Sequence, residues 1–137
     1  MKNHDFDNDY NIFNNTKYIV LYRKDKILQL EAFYRYHISC HSYSYNINEL
    51  INFCKKENQY YDRFINKWVN NDNINILKIE YYDLINAPIE HIKKIILFTN
   101  PNIILNDLII QNIIEKSNIK IYNELNKDIY DELKKII

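Results

Sequence analysis

The sequence predicts an α/β fold, predominantly helical, around a small parallel sheet of about two strands. Three observations predict it. Two short runs rich in β-branched residues, Lys17-Tyr-Ile-Val-Leu-Tyr22 and Ile76-Leu-Lys-Ile-Glu80, have the length and continuous apolar character of strands buried on both faces of a parallel sheet. Apolar residues at spacings of three and four fill the stretch between them and much of the chain beyond Glu80. The resulting order of strand, two helices, strand and further helices is that of a βαβ crossover with added helices.

Each element has its own signal. Asp25 is a plausible N-cap, and Ile27, Leu30, Phe33 or Tyr34, and His37 fall on one helical face behind it. His41 to Tyr45 reads as a loop. Asn46 and Glu49 then form a capping-box pair, opening a helix whose apolar stripe runs from Ile47 through Leu50, Cys54, Tyr61 and Phe64 to Trp68, about six turns. Asn70 to Asn75 is a turn before the second strand. Asn86-Ala-Pro88 suits a helix start, with Ile89, Ile92, Ile95 and Ile96 as its core stripe and Asn100-Pro101 as its stop. Two more helices are expected over about 106–115 and from about 127 to the end. Residues 1–16, rich in Asn and Asp without apolar periodicity, read as a flexible arm, leaving 17–137 as the folded domain.

Composition excludes more than it assigns. The 137 residues suffice for one domain with a core, and 47% apolar content is that of a globular protein. Eighteen basic and eighteen acidic side chains cancel, so no global field favours nucleic acid or an anionic membrane. The most apolar stretch, Ile95 to Ile114, is interrupted by Asn100, Pro101, Asn102, Asn106, Asp107 and Asn112, so no transmembrane segment is expected. Two cysteines without a secretory signal point to a reduced, cytoplasmic protein. There is no glycine, hence no glycine-rich phosphate loop or dinucleotide fingerprint.

Ligands of open α/β sheets sit beyond the carboxyl ends of the strands. Arg23-Lys24-Asp25-Lys26 follows the first strand and Tyr81-Tyr82-Asp83-Leu84 the second. Arg23 can clamp phosphate oxygens, Lys24 and Lys26 raise the local potential, and the helix opening at Asp25 presents amides and a positive dipole end. Tyr81 or Tyr82 offers an aromatic face.

These two segments, Tyr22 to Arg35 and Ile76 to Phe98, resemble landmarks of the sulfotransferase superfamily. The Arg-Lys-Asp-Lys-x-x-Gln text is most similar to the bacterial trehalose-sulfotransferase-like branch, and Tyr-Tyr-Asp-Leu-Ile-Asn-Ala-Pro resembles the family's Tyr-Glu-Asp-Leu turn and helix. The resemblance covers about residues 17–100 and implies a partial P-loop-NTPase-like sheet, the C-terminal, 3′-phosphate-binding part of the family fold. It implies 3′-phosphoadenosine 5′-phosphosulfate, or adenosine 3′,5′-bisphosphate, as the nucleotide, Arg23 as the 3′-phosphate ligand with Lys24 and Lys26 beside it, and Tyr81 near the adenine. Departures are equally specific. The family's serine falls on Ala32, or on Glu31 in a shifted alignment, where a carboxylate would repel phosphate. Tyr82 replaces the usual Glu, and Asn100 stands near the usual Gly. The 5′-phosphosulfate loop would precede residue 17.

The expectation is therefore a fragmentary or degenerate sulfotransferase-like protein that binds without catalysing transfer alone. The alternatives are an active sulfotransferase completed by a second chain that supplies the missing strands and phosphosulfate loop, and a small helical interaction protein; the sheet's open edges call for such a second chain or for a homo-oligomer. Other clusters carry less chemistry. His37, Cys40 and His41 give three irregularly spaced metal-ligand types, Cys54 with His91 imitates a nucleophile pair although Cys54 lies on an apolar stripe, and Glu49, Glu57 and Asp62 read as solvated charges without acid or base partners. Lys116, Ser117 and Lys120 could supplement a phosphate site.

Overall fold

The structure is a computed structural model that describes residues 15–117 and 125–137. The chain divides into two compact units, one comprising residues 23–70 and 125–137, the other 15–22 and 71–117.

The first unit is helical. Its elements are α1 (Lys26–His41), α2 (Ile47–Phe64), a π-helical turn over Ile65–Val69 that continues α2, and α6 (Lys127–Ile136). Asp25 caps α1 by accepting the Leu28 amide, and Asn46 caps α2 by accepting that of Glu49. With no glycine available, Ser42 takes the left-handed conformation at the end of α1 (φ 56°), a geometry that costs a residue with a Cβ about 1–2 kcal/mol. The Ser42 and Tyr43 amides return to the Ile38 carbonyl, which closes the helix. The predicted stripes meet in one core: Ile27, Leu30 and Tyr34 from α1, Leu50, Cys54 and Tyr61 from α2, and Leu133 from α6. Leu50, Cys54 and Leu133 are wholly buried, and burial on this scale stabilises by about 1.5–3 kcal/mol for each large apolar side chain.

The second unit holds the sheet. β1 (Tyr18–Tyr22) and β2 (Ile76–Glu80) pair in parallel, Tyr18 opposite Ile76 and Tyr22 opposite Glu80. The helices α3 (Tyr81–Asn86), α4 (Pro88–Thr99) and α5 (Asp107–Lys116) come after it in the chain. The protein is thus α/β and mostly helical, with a two-stranded parallel sheet. α3 was not foreseen. It forms because the buried Glu80 carboxylate accepts the Tyr82 and Asp83 amides at 2.8 and 3.2 Å, turning the end of β2 into a helix cap.

β1 differs from expectation as well. Val20 is buried, but Ile19 and Leu21 are 45% and 50% exposed. Ile19 pairs with Leu77 and Leu21 with Ile79, which is buried. Among the described elements, α3 and α4 both contact β2, which accords with the deeper burial of its side chains. Lys17 lies before the strand, donating to the Phe98 carbonyl at 2.6 Å near the C-terminal end of α4, where a cation complements the helix dipole. The predicted arm at residues 1–16 falls almost wholly outside the described residues.

Candidate functional site

Arg23, Lys24, Asp25 and Lys26 enter α1 in the helical unit. Their backbone is held by Tyr61, a buried residue in the last turn of α2. Its hydroxyl donates to the Arg23 carbonyl at 3.0 Å and the Lys24 carbonyl at 2.9 Å. Asp25 is fixed from both sides. One carboxylate oxygen accepts the Leu28 amide at 3.1 Å, and the other accepts the Tyr130 hydroxyl of α6 at 2.6 Å, which raises the phenol above its usual range. A carboxylate belonging to the chain itself therefore sits at the helix opening, meets the positive dipole end and satisfies one of the free amides. An anion arriving here meets the cationic side chains rather than an uncapped helix.

The cations differ in what they already touch. The Arg23 Nη1 donates to the Leu28 carbonyl at 3.3 Å, so its guanidinium folds over the first turn of α1, and further contacts engage it. Lys24 is exposed. Lys26 reaches across to α2, where its Nζ lies 2.8 and 2.9 Å from the two Asp62 oxygens and 5.6 Å from the centre of the Tyr61 ring. Its charge is thus compensated within the unit. Asp62, read from sequence as solvated and without a partner, is the compensating group.

Tyr81 belongs to the sheet unit. It opens α3, half-buried, and meets the Tyr82 ring edge-on with centroids 5.4 Å apart. The two residues at the family's serine position are now distinct. Glu31 is buried, forms an ion pair with Arg35 one turn further along α1 and accepts the Tyr45 hydroxyl at 3.3 Å. Burial, with the carboxylate at its other end, pushes the Tyr45 phenol up to about 12. A buried carboxylate requires such partners, so Glu31 is committed to α1 and the connection after it. Ala32 is half-buried and brings no hydrogen-bonding group.

The remaining candidates separate cleanly. Among the described residues no group of three or more His, Cys, Asp or Glu could hold a metal ion, although the His37 and His41 rings lie 4.8 Å apart. Burial, reinforced by the charge of Glu31, pushes the Cys54 thiol up to about 12, far from the activated range of a nucleophile. His91 lies in the other unit, with Nδ1 3.0 Å from the Ala87 carbonyl. Lys116 is exposed and Ser117 donates to the Ile114 carbonyl at 2.7 Å, both at the end of α5, while Lys120 falls outside the described residues.

Sequence reasoning placed Tyr61 on a core stripe and gave Tyr130 no role. The apolar spacing that reveals a ring does not reveal where its hydroxyl ends, and the Tyr130 contact spans 105 residues. The arrangement is a cation-bearing turn, hydrogen-bonded to Tyr61, whose charge suits an anion. Among the described residues it brings no general acid and base together as a pair. No family model, curated protein or solved structure matches this chain.

Proposed function

We propose that the chain is a sulfotransferase-like domain that binds the 3′-phosphate of 3′-phosphoadenosine 5′-phosphosulfate, or of adenosine 3′,5′-bisphosphate, and does not transfer the sulfuryl group alone. One observation carries the reading: Arg23 and Lys24 follow a parallel strand directly in the chain, on a turn that Tyr61 holds through two carbonyls. That is where a ligand of an open α/β sheet is met, and a held turn limits the entropy lost when phosphate binds. The resemblance of residues 22–35 and 76–98 to sulfotransferase segments supplies the nucleotide class. Sulfuryl transfer needs cations around the moving group and an in-line nucleophile, and a chain without glycine has no glycine-rich loop to cradle that group.

A second reading, an active sulfotransferase completed by another chain, is favoured by the exposed Ile19 and Leu21 of β1, since parallel sheets ordinarily have both faces covered. Calorimetric titration with adenosine 3′,5′-bisphosphate tests the nucleotide site. The wild type should bind, and Arg23→Ala should lose about 2–4 kcal/mol, the scale for removing one partner of a charge-assisted contact. A folded wild type that does not bind would sink the proposal.

A further inference from the structure

A groove of about 630 Å³ runs along the seam between the end of α1 and the start of α2, roofed by the connection between them. It is separate from the Arg23 turn. α1 has 16 residues, so its two ends lie about 24 Å apart at 1.5 Å per residue, and the groove is at the far end.

Its chemistry is ordered along α2. Glu49, Asn52, Phe53 and Lys56 all line it, and their spacings of three, four and seven place them on one helix face. Glu49 and Lys56 stand seven residues apart, about 10.5 Å along the axis. The groove therefore has an acidic end, a basic end and, between them, an amide beside an aromatic ring. The Asn52 carboxamide is exposed and has no hydrogen-bond partner among the described residues. Among the described residues the Lys56 ammonium meets the Glu57 carboxylate, at 3.8 Å, and its side chain is 79% exposed. Glu49 accepts the Tyr34 hydroxyl on one oxygen, at 3.4 Å. Phe53 is held by the His37 ring at 5.6 Å, and Tyr43, 63% exposed, stands in the wall formed by the connection.

We propose that this groove binds a short peptide with free termini, about three residues long, with an apolar or aromatic residue in the middle. An extended tripeptide spans about 10–11 Å, which matches the axial spacing of the two charged residues along α2. Its ammonium meets Glu49 and its carboxylate meets Lys56. A side-chain amide is both donor and acceptor, so Asn52 pairs with a peptide group, and the central side chain packs between Phe53 and Tyr43. The groove volume lies in the range usual for small-ligand sites. A nucleotide fits less well, since the first turn of α2 in the groove is already capped by Asn46 and carries the Glu49 carboxylate, and the exposed lysine stands seven residues beyond Glu49.

The test is a titration of the full chain with Ala-Phe-Ala, monitored by amide and side-chain NMR shifts. Saturable shifts centred on Asn52 and Phe53 are expected. Acetylating the peptide amine should weaken binding about two- to fivefold, the range for an ion pair near the surface, and Glu49→Gln should do the same. The acetylated peptide should lose nothing further in that variant. Amidating the carboxylate should be matched in the same way by Lys56→Met, a surface change that leaves the core intact. No saturable shift at millimolar peptide would overturn the proposal. So would indifference to either blocking group, or tighter binding of adenosine monophosphate or a disaccharide in the groove. Titration with adenosine 3′,5′-bisphosphate is read at the other end of α1, so the two sites can fail separately.

Discussion

Replacing Tyr61 by phenylalanine isolates the contact that holds the proposed phosphate turn. The ring packs in the core between α1, α2 and α6 and is retained, while the hydroxyl that donates to the Arg23 and Lys24 carbonyls is removed. A hydrogen bond of this kind contributes about 0.5–1.5 kcal/mol net. Because the hydroxyl has one proton shared between two acceptors, Tyr61→Phe should cost about 1 kcal/mol and not twice that. Truncation to alanine also empties the ring's place and should cost about 3–5 kcal/mol. Urea unfolding monitored by far-ultraviolet circular dichroism reads both, with the phenylalanine variant expected to shift the midpoint and keep the slope. The loosened turn should also weaken adenosine 3′,5′-bisphosphate binding, by less than Arg23→Ala does. A Tyr61→Phe protein as stable as wild type, with unchanged nucleotide affinity, would refute the idea that this hydroxyl positions the turn.

Three further outcomes rest on neighbouring contacts. Asp62→Asn removes the charge that compensates Lys26, so nucleotide binding should tighten, by no more than about fivefold for a pair of this exposure, and should become more sensitive to salt. Iodoacetamide should modify the exposed Cys40 of the native protein at pH 8 and reach the buried Cys54 only on unfolding, a result mass spectrometry distinguishes directly. Stability should fall on the alkaline side. The Cys54 thiol is raised from 9.0 to about 12 on folding and the Tyr45 phenol from 10.0 to about 12, so the unfolded chain loses these protons first. Their contribution is complete below about pH 9 and disappears towards pH 12. Cys54→Ala should flatten the onset of that decline between pH 9 and 10 in a urea series.

Much of the fold was legible in the sequence because short-range physics determines it. The strand limits at Tyr22, Ile76 and Glu80 come from β-branched runs, the caps at Asp25 and Asn46 from side chains that compete for the first free amides, and the core of the helical unit from the spacing of Ile27, Leu30, Leu50 and Cys54. α3 escaped notice because Tyr81-Tyr82-Asp83 carries no strong helical spacing, and its cap, Glu80, reads as the end of a strand. Exposure of Ile19 and Leu21 was equally hidden, since an apolar run shows what could be covered and not what covers it.

By itself the sequence determined that a cationic turn comes after a short apolar strand and that these residues include no glycine, because residue identity and order suffice for both. Tertiary structure decided which of the charged groups at and near that turn are already engaged. Lys26 is compensated by a residue 36 positions away, Asp25 is anchored to a residue 105 positions away, and Glu31 accepts the hydroxyl of Tyr45, beyond the end of its own helix. The physical reason is that Coulombic and hydrogen-bonding partners are chosen by distance in space. Residue order sets such distances only along a single helix or strand, and the partners of this turn come from three.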